Sequence, residues 1–566
     1  MGDRSTEEQQ LARRLLAAVA SVLGLWLLFG DVTTVDATVR LVGAVITVVG
    51  IGRWLTARES DDPAGVAVAV GWVGIGVLGI VQPGLELRAY AIVVGIALVI
   101  GALLDLVRGF RGSAAAPTLI SSAAGGLLGV AALAWPTVTV LVMAVVAGAR
   151  ALVFAVTTVL AERRERPTET TWKSYILPVA GSVLALVLVV VAVAINRSQP
   201  RDLPDFYTAA AETSDAPGEL IRSERVDGFL DGAVTHRVLY TSTDRDGAPV
   251  TATGLVIVPD TEAPADGRPV VAITHGTMGI ARECSPSAIG PAYAAGIGGL
   301  HEYIDAGFVV AAPDYAGLGS DATAGYLVGL DEGYSTLDAV RSAADVPGSD
   351  ASDSFVVFGE SQGGHASLFT GELASDYAPD LDLVGVAAAA PATDLPELFE
   401  ANAGTPFGDI LASYALVSWA EVYADRVDLA EVVDSDARPA VERLADLCLQ
   451  DERQIASLFP EAAILSERFL TTPPWEVDSW SQVLQDNVPG QQPTAAPVLV
   501  LQGEDDPLVR PAIQERWIDT ICATGTTVEY RTYPGVGHIG AGHATAADAV
   551  EWSLGLLAGD EALSTC

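Results

Sequence analysis

Long apolar segments separated by short polar ones make up the first 196 residues, and the pattern stops there. A helix needs about 20 apolar residues to cross a bilayer. Seven segments approach or exceed that length: residues 11–30, 39–57, 65–82, 87–108, 117–135, 137–161 and 174–195. A signal peptide would contribute one such segment only. The pattern therefore predicts an α-helical transmembrane domain of about seven helices over residues 1–196.

Basic residues are concentrated in alternate loops between these segments. They precede the first span and lie in the loops after the second, fourth and sixth: Arg4, Arg13, Arg14, Arg53, Arg58, Arg108, Arg111, Arg163, Arg164, Arg166 and Lys173. Because basic loops stay in the cytoplasm, we expect a cytoplasmic N-terminus. Seven crossings then place the following residues outside the cytoplasm. Arg197 and Arg201 would lie on the outer side and count against this orientation.

The apolar region also contains an internal repeat. Three positions recur at offsets of 52 and 53 residues: Gly24, Asp31 and Gly43, then Gly76, Pro83 and Gly95, then Gly129, Pro136 and Gly148. This spacing predicts three two-helix repeats whose glycines allow close helix packing. With stretches such as "LRAYAIVVGIALVIGALLDLV", the region resembles the HdeD-like family of small membrane proteins over about residues 1–165. The resemblance implies six helices and no catalytic residues, so we expect an anchor or scaffold, with the seventh helix leading to the next domain.

A polar linker, residues 197–204, separates the apolar region from a sequence of different character. Buried-type strands such as "PVVAITHG", "FVVAAPDY" and "SFVVFGES" alternate with helical segments from residue 205 onward. Continuous apolar strands of this kind are typical of a parallel sheet covered by helices on both faces. The sequence therefore predicts an α/β domain with a largely parallel sheet over residues 205–566.

Charge and cysteine content distinguish the two regions further. Residues 201–566 contain 58 Asp and Glu against 16 Arg and no Lys, a net charge of −42, whereas residues 1–200 carry 13 acids and 15 bases. Such acidity disfavours nucleic acid as a partner, since it repels phosphates. All four cysteines lie in the acidic region: Cys284, Cys448, Cys522 and Cys566. Their number permits two disulfides in an oxidising compartment, and buried free thiols are the alternative.

The sequence Gly359-Glu360-Ser361-Gln362-Gly363-Gly364 fits the Gly-x-Ser-x-Gly pattern of a nucleophilic serine. The pattern produces a tight turn between a strand and a helix and exposes the serine side chain. Here it follows the predicted strand 354–358 and begins the predicted helix 365–374. Ser361 is therefore the candidate nucleophile.

A serine nucleophile needs a base, which an acid orients, and in α/β-hydrolases the chain order is Ser, acid, His. Asp506 follows the strand in "PVLVLQGEDDPLV" and is the candidate acid, with Asp505 and Glu504 as alternatives. His538 ends "VEYRTYPGVGH" and is the candidate base, with His543 as the main alternative. We expect the remaining candidates to be surface or packing residues: His236, His301 and His365.

The negative charge that develops on a substrate carbonyl needs preorganised hydrogen-bond donors. One is expected to be the backbone N–H of Gln362, directly after the nucleophile. The other is expected from the loop after an early strand, where Thr277 is the first candidate and Gly276 the second.

Six stretches in this order resemble the secretory lipase family of α/β-hydrolases, typified by the fungal lipase A enzymes. They are "DFYTAAAETSDAPGELIRSE", "HGTMGIARECSPS", "APDYAGLG", "GESQGGHA", "GEDDPLV" and "YPGVGH". The resemblance covers residues 205–566 and implies ester hydrolysis by Ser361, Asp506 and His538. It also implies the disulfides Cys284–Cys448 and Cys522–Cys566, and a helical cap over about residues 394–493. Secreted family members lack the membrane domain, and the near absence of Lys is a second departure.

Together these features predict a multi-pass cell-membrane protein with an extracytoplasmic serine hydrolase domain of the lipase or esterase type. Its partners would be an ester or lipid substrate and the lipid bilayer. No cofactor or metal is expected, because the sequence lacks metal-ligand spacing of His and Cys. Two alternatives remain open. One is a serine peptidase or amide/thioester hydrolase on the same scaffold, and the other is a membrane stress or scaffold protein with an inactive hydrolase domain.

Overall fold

The computed structural model divides into two compact units. One comprises Met1–Gln199 with Phe459–Glu467, and the other Pro200–Leu458 with Arg468–Cys566. The structure describes residues 14–23, 35–59, 63–81, 94–103, 106, 126, 203–208, 213–214, 216–294, 296–449, 454, 458, 461–462, 465, 468–494 and 496–566. The predicted domain boundaries, at residues 196, 204 and 394–493, stay predictions.

The first unit is helical wherever it is described. Helices α1 (Val35–Glu59) and α2 (Pro63–Val81) pack against each other, and residues 14–23 and 94–103 are also helical. Gly76 lies at the α1–α2 contact, where a Cβ atom would overlap the Thr47 side chain and the Gly43 carbonyl. Two of the repeat glycines thus lie at this contact between the helices.

Among the residues described, no helix combines the length and the hydropathy that a membrane crossing requires. The predicted spans 137–161 and 174–195 lie outside these residues, and of span 117–135 only residue 126 is described. The transmembrane domain and its seven helices therefore stay a prediction.

A nine-stranded sheet forms the centre of the second unit. Its strands are β1 (Leu220–Val226), β2 (Ala233–Thr243), β3 (Pro249–Pro259), β4 (Arg268–Thr274), β5 (Val309–Pro313), β6 (Ala351–Glu360), β7 (Asp382–Ala389), β8 (Val498–Gly503) and β9 (Val528–Tyr533). Their order is β1-β2-β3-β5-β4-β6-β7-β8-β9. The last six in this order are parallel, whereas β1, β2 and β3 pair antiparallel. The prediction of a largely parallel sheet is confirmed.

Helices cover both faces of this sheet. Alternate side chains of each strand point to opposite sides, so apolar strands give the sheet two apolar faces that the helices bury. In β4, Val270 joins the apolar cluster on one face and Val271 the cluster on the other. The helices described with both ends in this unit are α3 (Asp205–Thr208), α4 (Pro286–Ile289), α5 (Pro291–Ala294), α6 (Leu300–Asp305), α7 (Gly329–Ala344), α8 (Gln362–Tyr377), α9 (Leu395–Asn402), α10 (Pro406–Val422), α11 (Arg438–Ala445), α12 (Asp478–Asp486), α13 (Pro511–Ala523) and α14 (Ala541–Leu557). Helices α7, α8 and α13 contribute to the first cluster, and α6 and α14 to the second.

The connection between β7 and β8 contains four described helices, α9 to α12. It occupies the segment in which the sequence predicted a helical cap. The loops after β4, β6, β8 and β9 leave the sheet at the carboxyl ends of parallel strands. In α/β sheets this edge is where ligands bind, and Ser361, Asp506 and His538 lie on these loops.

Candidate active site

Ser361 occupies the sharp turn between β6 and α8. Its backbone adopts φ 60° and ψ −117°, a conformation that is costly for a residue with a side chain. Three hydrogen bonds hold the turn: the Ser361 N–H donates to the Ala389 carbonyl at 2.9 Å, and the Ser361 carbonyl accepts from His365 N–H at 3.0 Å and Ala392 N–H at 3.2 Å. The fold therefore stabilises a strained serine at the start of a helix.

The glycines around Ser361 lie so close to neighbouring atoms that there is no room for a side chain. A Cβ at Gly359 would overlap the Thr274 hydroxyl, and one at Gly363 would overlap the Thr274 carbonyl. A Cβ at Gly364 would lie 2.7 Å from Cβ of Pro391. The motif residues thus allow β6 and α8 to pack directly against the end of β4.

The structure brings Ser361, His538 and Asp506 into one hydrogen-bonded relay. His538 Nε2 lies 2.9 Å from Ser361 Oγ, and His538 Nδ1 lies 2.8 Å from Asp506 Oδ2. An ionised carboxylate only accepts hydrogen bonds, so Nδ1–H donates to Asp506. In the neutral imidazole Nε2 is then the acceptor, and it faces the serine hydroxyl as a general base must.

Asp506 is held in place by its surroundings. Its Oδ1 accepts from the backbone N–H groups of Leu508 at 2.9 Å and Val509 at 2.8 Å, and Gln502 Nε2 donates to Oδ2 at 3.3 Å. The Asp506 side chain is fully buried, whereas Glu504 and Asp505 are exposed. Of the three acidic candidates, only Asp506 contacts His538 in the structure.

Four other histidines named from the sequence have different surroundings. His543 and His301 are exposed and His236 is half-buried in β2. His365 is fully buried, with Nδ1 2.6 Å from Glu332 Oε2 and Nε2 donating to the Asn487 carbonyl at 2.9 Å. Its two ring nitrogens are therefore occupied, in keeping with the expected structural role.

Both candidate oxyanion-hole positions lie next to the nucleophile. A Cβ at Gly276 would fall 4.0 Å from Ser361 Cβ, so the loop after β4 passes directly beside the serine. Thr277 follows in that loop, and its hydroxyl is hydrogen-bonded to the Tyr326 hydroxyl at 2.9 Å. Gln362 is the first residue of α8, where a helix has no acceptor of its own for the backbone N–H.

The sequence reasoning missed a buried network beneath these positions. Glu332 Oε1 accepts from the Gln362 side-chain amide at 2.8 Å and from Leu327 N–H at 3.0 Å, while its Oε2 contacts His365. Asn487, which receives the His365 bond, directly follows α12. The network thus fixes the beginning of α8 against the cap, and its members are too far apart in sequence to be recognised from a motif.

Two disulfides are present, Cys284–Cys448 and Cys522–Cys566. This is the pairing that the family resemblance implied. Cys284–Cys448 joins the loop that carries Thr277 to the cap, and the bond from Leu449 N–H to the Met278 carbonyl, at 2.7 Å, reinforces that junction. Within the described part of the chain, no group of three or more His, Cys, Asp or Glu side chains is arranged to hold a metal ion.

Comparisons with known proteins find lipases among the proteins similar to this chain. The profile of the family described as Secretory lipase matches residues 298–565. A protein of Mycobacterium tuberculosis named "Probable inactive lipase" is 27% identical over 356 residues, which cover 58% of this chain and 76% of that protein. Lipase A of Arthroderma benhamiae is 23% identical over 363 residues, which cover 59% of this chain and 74% of that protein. Candida antarctica lipase A superposes with a TM-score of 0.53 at 18% identity, covering 64% of this chain and 87% of that one.

The second unit is a lipase/esterase-like α/β-hydrolase domain. In the first unit, a profile described as a short repeat of unknown function matches residues 67–127 and 120–191. That match is consistent with a membrane domain, and the HdeD-like identity of the region stays a prediction. One chain thus contains both the lipase-like domain and a region that matches the short repeat.

Proposed function

We propose that this chain is a membrane-anchored, extracytoplasmic serine hydrolase that cleaves carboxylic esters through an acyl-enzyme. The observation that carries the proposal is the relay in which Ser361 Oγ, His538 and Asp506 lie at 2.9 and 2.8 Å. Two further features support the proposal: the strained backbone of Ser361, and the backbone of residues 276 and 362 beside it, where an oxyanion hole is expected. These features together are what acyl transfer to a serine requires.

The proposed reaction has two steps. His538 Nε2 removes the hydroxyl proton as Ser361 Oγ attacks the ester carbonyl, and the N–H groups of Gln362 and Thr277 stabilise the oxyanion. His538 then returns the proton to the departing alcohol, leaving Ser361 acylated. His538 removes a proton from a water molecule as it attacks the acyl-enzyme, and then returns that proton to Ser361 Oγ as the carboxylic acid is released. Asp506 remains ionised and stabilises the imidazolium in each step.

An inactive hydrolase domain is the second candidate, because a Mycobacterium tuberculosis relative is named "Probable inactive lipase". A peptidase or amide hydrolase is the third, since the same residues serve those reactions. The purified full-length chain should be assayed against p-nitrophenyl butyrate, p-nitrophenyl palmitate and a peptide p-nitroanilide. We expect ester hydrolysis that Ser361→Ala abolishes, and little anilide hydrolysis. Ester hydrolysis that is absent, or that persists in Ser361→Ala, would refute the proposal.

Membrane anchoring is supported by the seven apolar segments, the placement of basic residues and the repeat match. It is tested by adding protease to intact cells. We expect cleavage of the lipase-like domain without lysis and recovery of residues 1–196 in the membrane fraction. Protection in intact cells followed by cleavage after lysis would contradict the extracytoplasmic placement.

A further inference from the structure

Glu360, the residue before the nucleophile, has a side chain directed at the loop that carries His538. It is the last residue of β6, and it lies against Gly542 in the first turn of α14. A Cβ at Gly542 would fall 2.7 Å from Glu360 Oε2 and 3.2 Å from Glu360 Cβ. A side chain at position 542 would therefore displace this carboxylate from its present position.

The turn that Glu360 contacts begins immediately after His538. The Ala541 N–H donates to the His538 carbonyl at 3.3 Å, and the helix cap residue Gly540 has φ 84° and no side-chain cap. The first N–H groups of a helix lack partners within the helix. Glu360 Oε2 lies against the Gly542 backbone in this first turn, so the carboxylate faces the beginning of α14 from a different strand. A negative charge at this end of a helix is also favoured by the helix dipole.

Glu360 is in addition a charge close to the catalytic base. Burial raises the pKa of Glu360, while His538, the two glycine N–H groups and His543 each act to lower it. Asp506 is a second charged group facing His538, with its Oδ2 2.8 Å from Nδ1. Two carboxylates thus act on His538: Asp506 through the bond to Nδ1, and Glu360 through its negative charge.

We propose that Glu360 is a positioning residue for His538: its carboxylate fixes the turn 538–542 against β6 and stabilises the imidazolium that forms during acylation. This inference rests on the proposed hydrolase function. It links the nucleophile and the base through adjacent residues, because any movement of Glu360 moves Ser361 with it. The geometry of the Ser361–His538 bond thus depends on a contact outside the three catalytic side chains.

The test compares kcat/KM for p-nitrophenyl butyrate as a function of pH in the wild type, Glu360→Gln and Glu551→Gln. Glu551 is exposed on the same helix, so its variant controls for loss of charge on α14. For Glu360→Gln we expect kcat to fall about tenfold or more, since small displacements of a base are costly. We also expect the acidic limb to move down by about half a pH unit or more, since the imidazolium loses a neighbouring negative charge. KM should change little.

Wild-type activity that Ser361→Ala abolishes would establish the hydrolase function. The positioning role of Glu360 can then fail while the hydrolase function stands. A Glu360→Gln enzyme with the pH limb and kcat of Glu551→Gln would overturn it. If Glu360→Gln does not fold, Glu360→Asp decides, because it keeps the charge and shortens the reach. A lower kcat with an unchanged pH limb supports the inference, and wild-type kcat overturns it.

Discussion

Replacing Asp506 by Asn should disable His538 by reversing its tautomer. Asp506 Oδ1 accepts two backbone N–H bonds, from Leu508 and Val509. The amide oxygen of an asparagine must keep that position, because its NH₂ group would oppose two donors there. The NH₂ group then replaces Oδ2 and donates to His538 Nδ1. The ring proton is driven to Nε2, 2.9 Å from Ser361 Oγ, where it blocks proton abstraction.

The expected loss is about 10⁴-fold in kcat, the size of this tautomer effect in serine hydrolases with the same relay. It corresponds to about 5.4 kcal/mol of transition-state stabilisation, at 1.36 kcal/mol for each factor of ten. The shape of the side chain is unchanged, so the thermal unfolding midpoint should move little.

The assay is hydrolysis of p-nitrophenyl butyrate at neutral pH by the purified wild type, Asp506→Asn and Asp505→Asn. Asp505 is adjacent in sequence and exposed, so its variant should retain wild-type kcat. A loss smaller than about tenfold in Asp506→Asn would refute the tautomer argument. So would an equal loss in Asp505→Asn.

Three further predictions concern the fold around the site. Burial raises the pKa of Asp331 to about 7, so the folded chain holds a proton there that the unfolded chain releases near 4. The free energy of unfolding should therefore fall as pH rises from about 4 to 7. In urea titrations at pH 8, Asp331→Asn should be more stable than the wild type by up to about 4 kcal/mol. The control variant Asp519→Asn, at an exposed position, should match the wild type. Removing Cys284–Cys448 by double Ser substitution should lower kcat more than removing Cys522–Cys566, because only the first disulfide joins the Thr277 loop to the cap; equal kcat values in the two variants would contradict this. Gly363→Ala should not give active enzyme, since its Cβ would overlap the Thr274 carbonyl; wild-type turnover and circular dichroism in that variant would show that the turn is not as tight as described.

Local patterns were sufficient to predict the centre of the lipase-like domain. The strand before Ser361 is longer than predicted, Ala351–Glu360 rather than 354–358, and the helix after it is Gln362–Tyr377 rather than 365–374. The apolar strands were recognisable because both faces of the sheet are covered, and the site residues follow them directly. Strand β1 was missed, since its sequence "LIRSERV" is half polar and half-buried at the sheet edge.

The features of the site that were not predicted depend on contacts between segments that are distant in sequence. Glu332, His365 and Asn487 meet only because α7, α8 and the end of the cap converge, with separations of 33 and 122 residues between the bonded pairs. Glu360 was part of the recognised motif, but the motif leaves its position open to any residue. Its partner Gly542 lies 182 residues away, and no spacing rule connects them.

Covalent labelling of Ser361 by a fluorophosphonate probe is the most direct test of the central claim. The full-length protein should be treated with the probe, digested and examined by mass spectrometry, beside Ser361→Ala. The expected result is one adduct, on the peptide containing Ser361, that is absent from the variant. A folded wild-type protein that takes up no probe, or that carries the adduct on another residue, would contradict the assignment of Ser361 as an activated nucleophile.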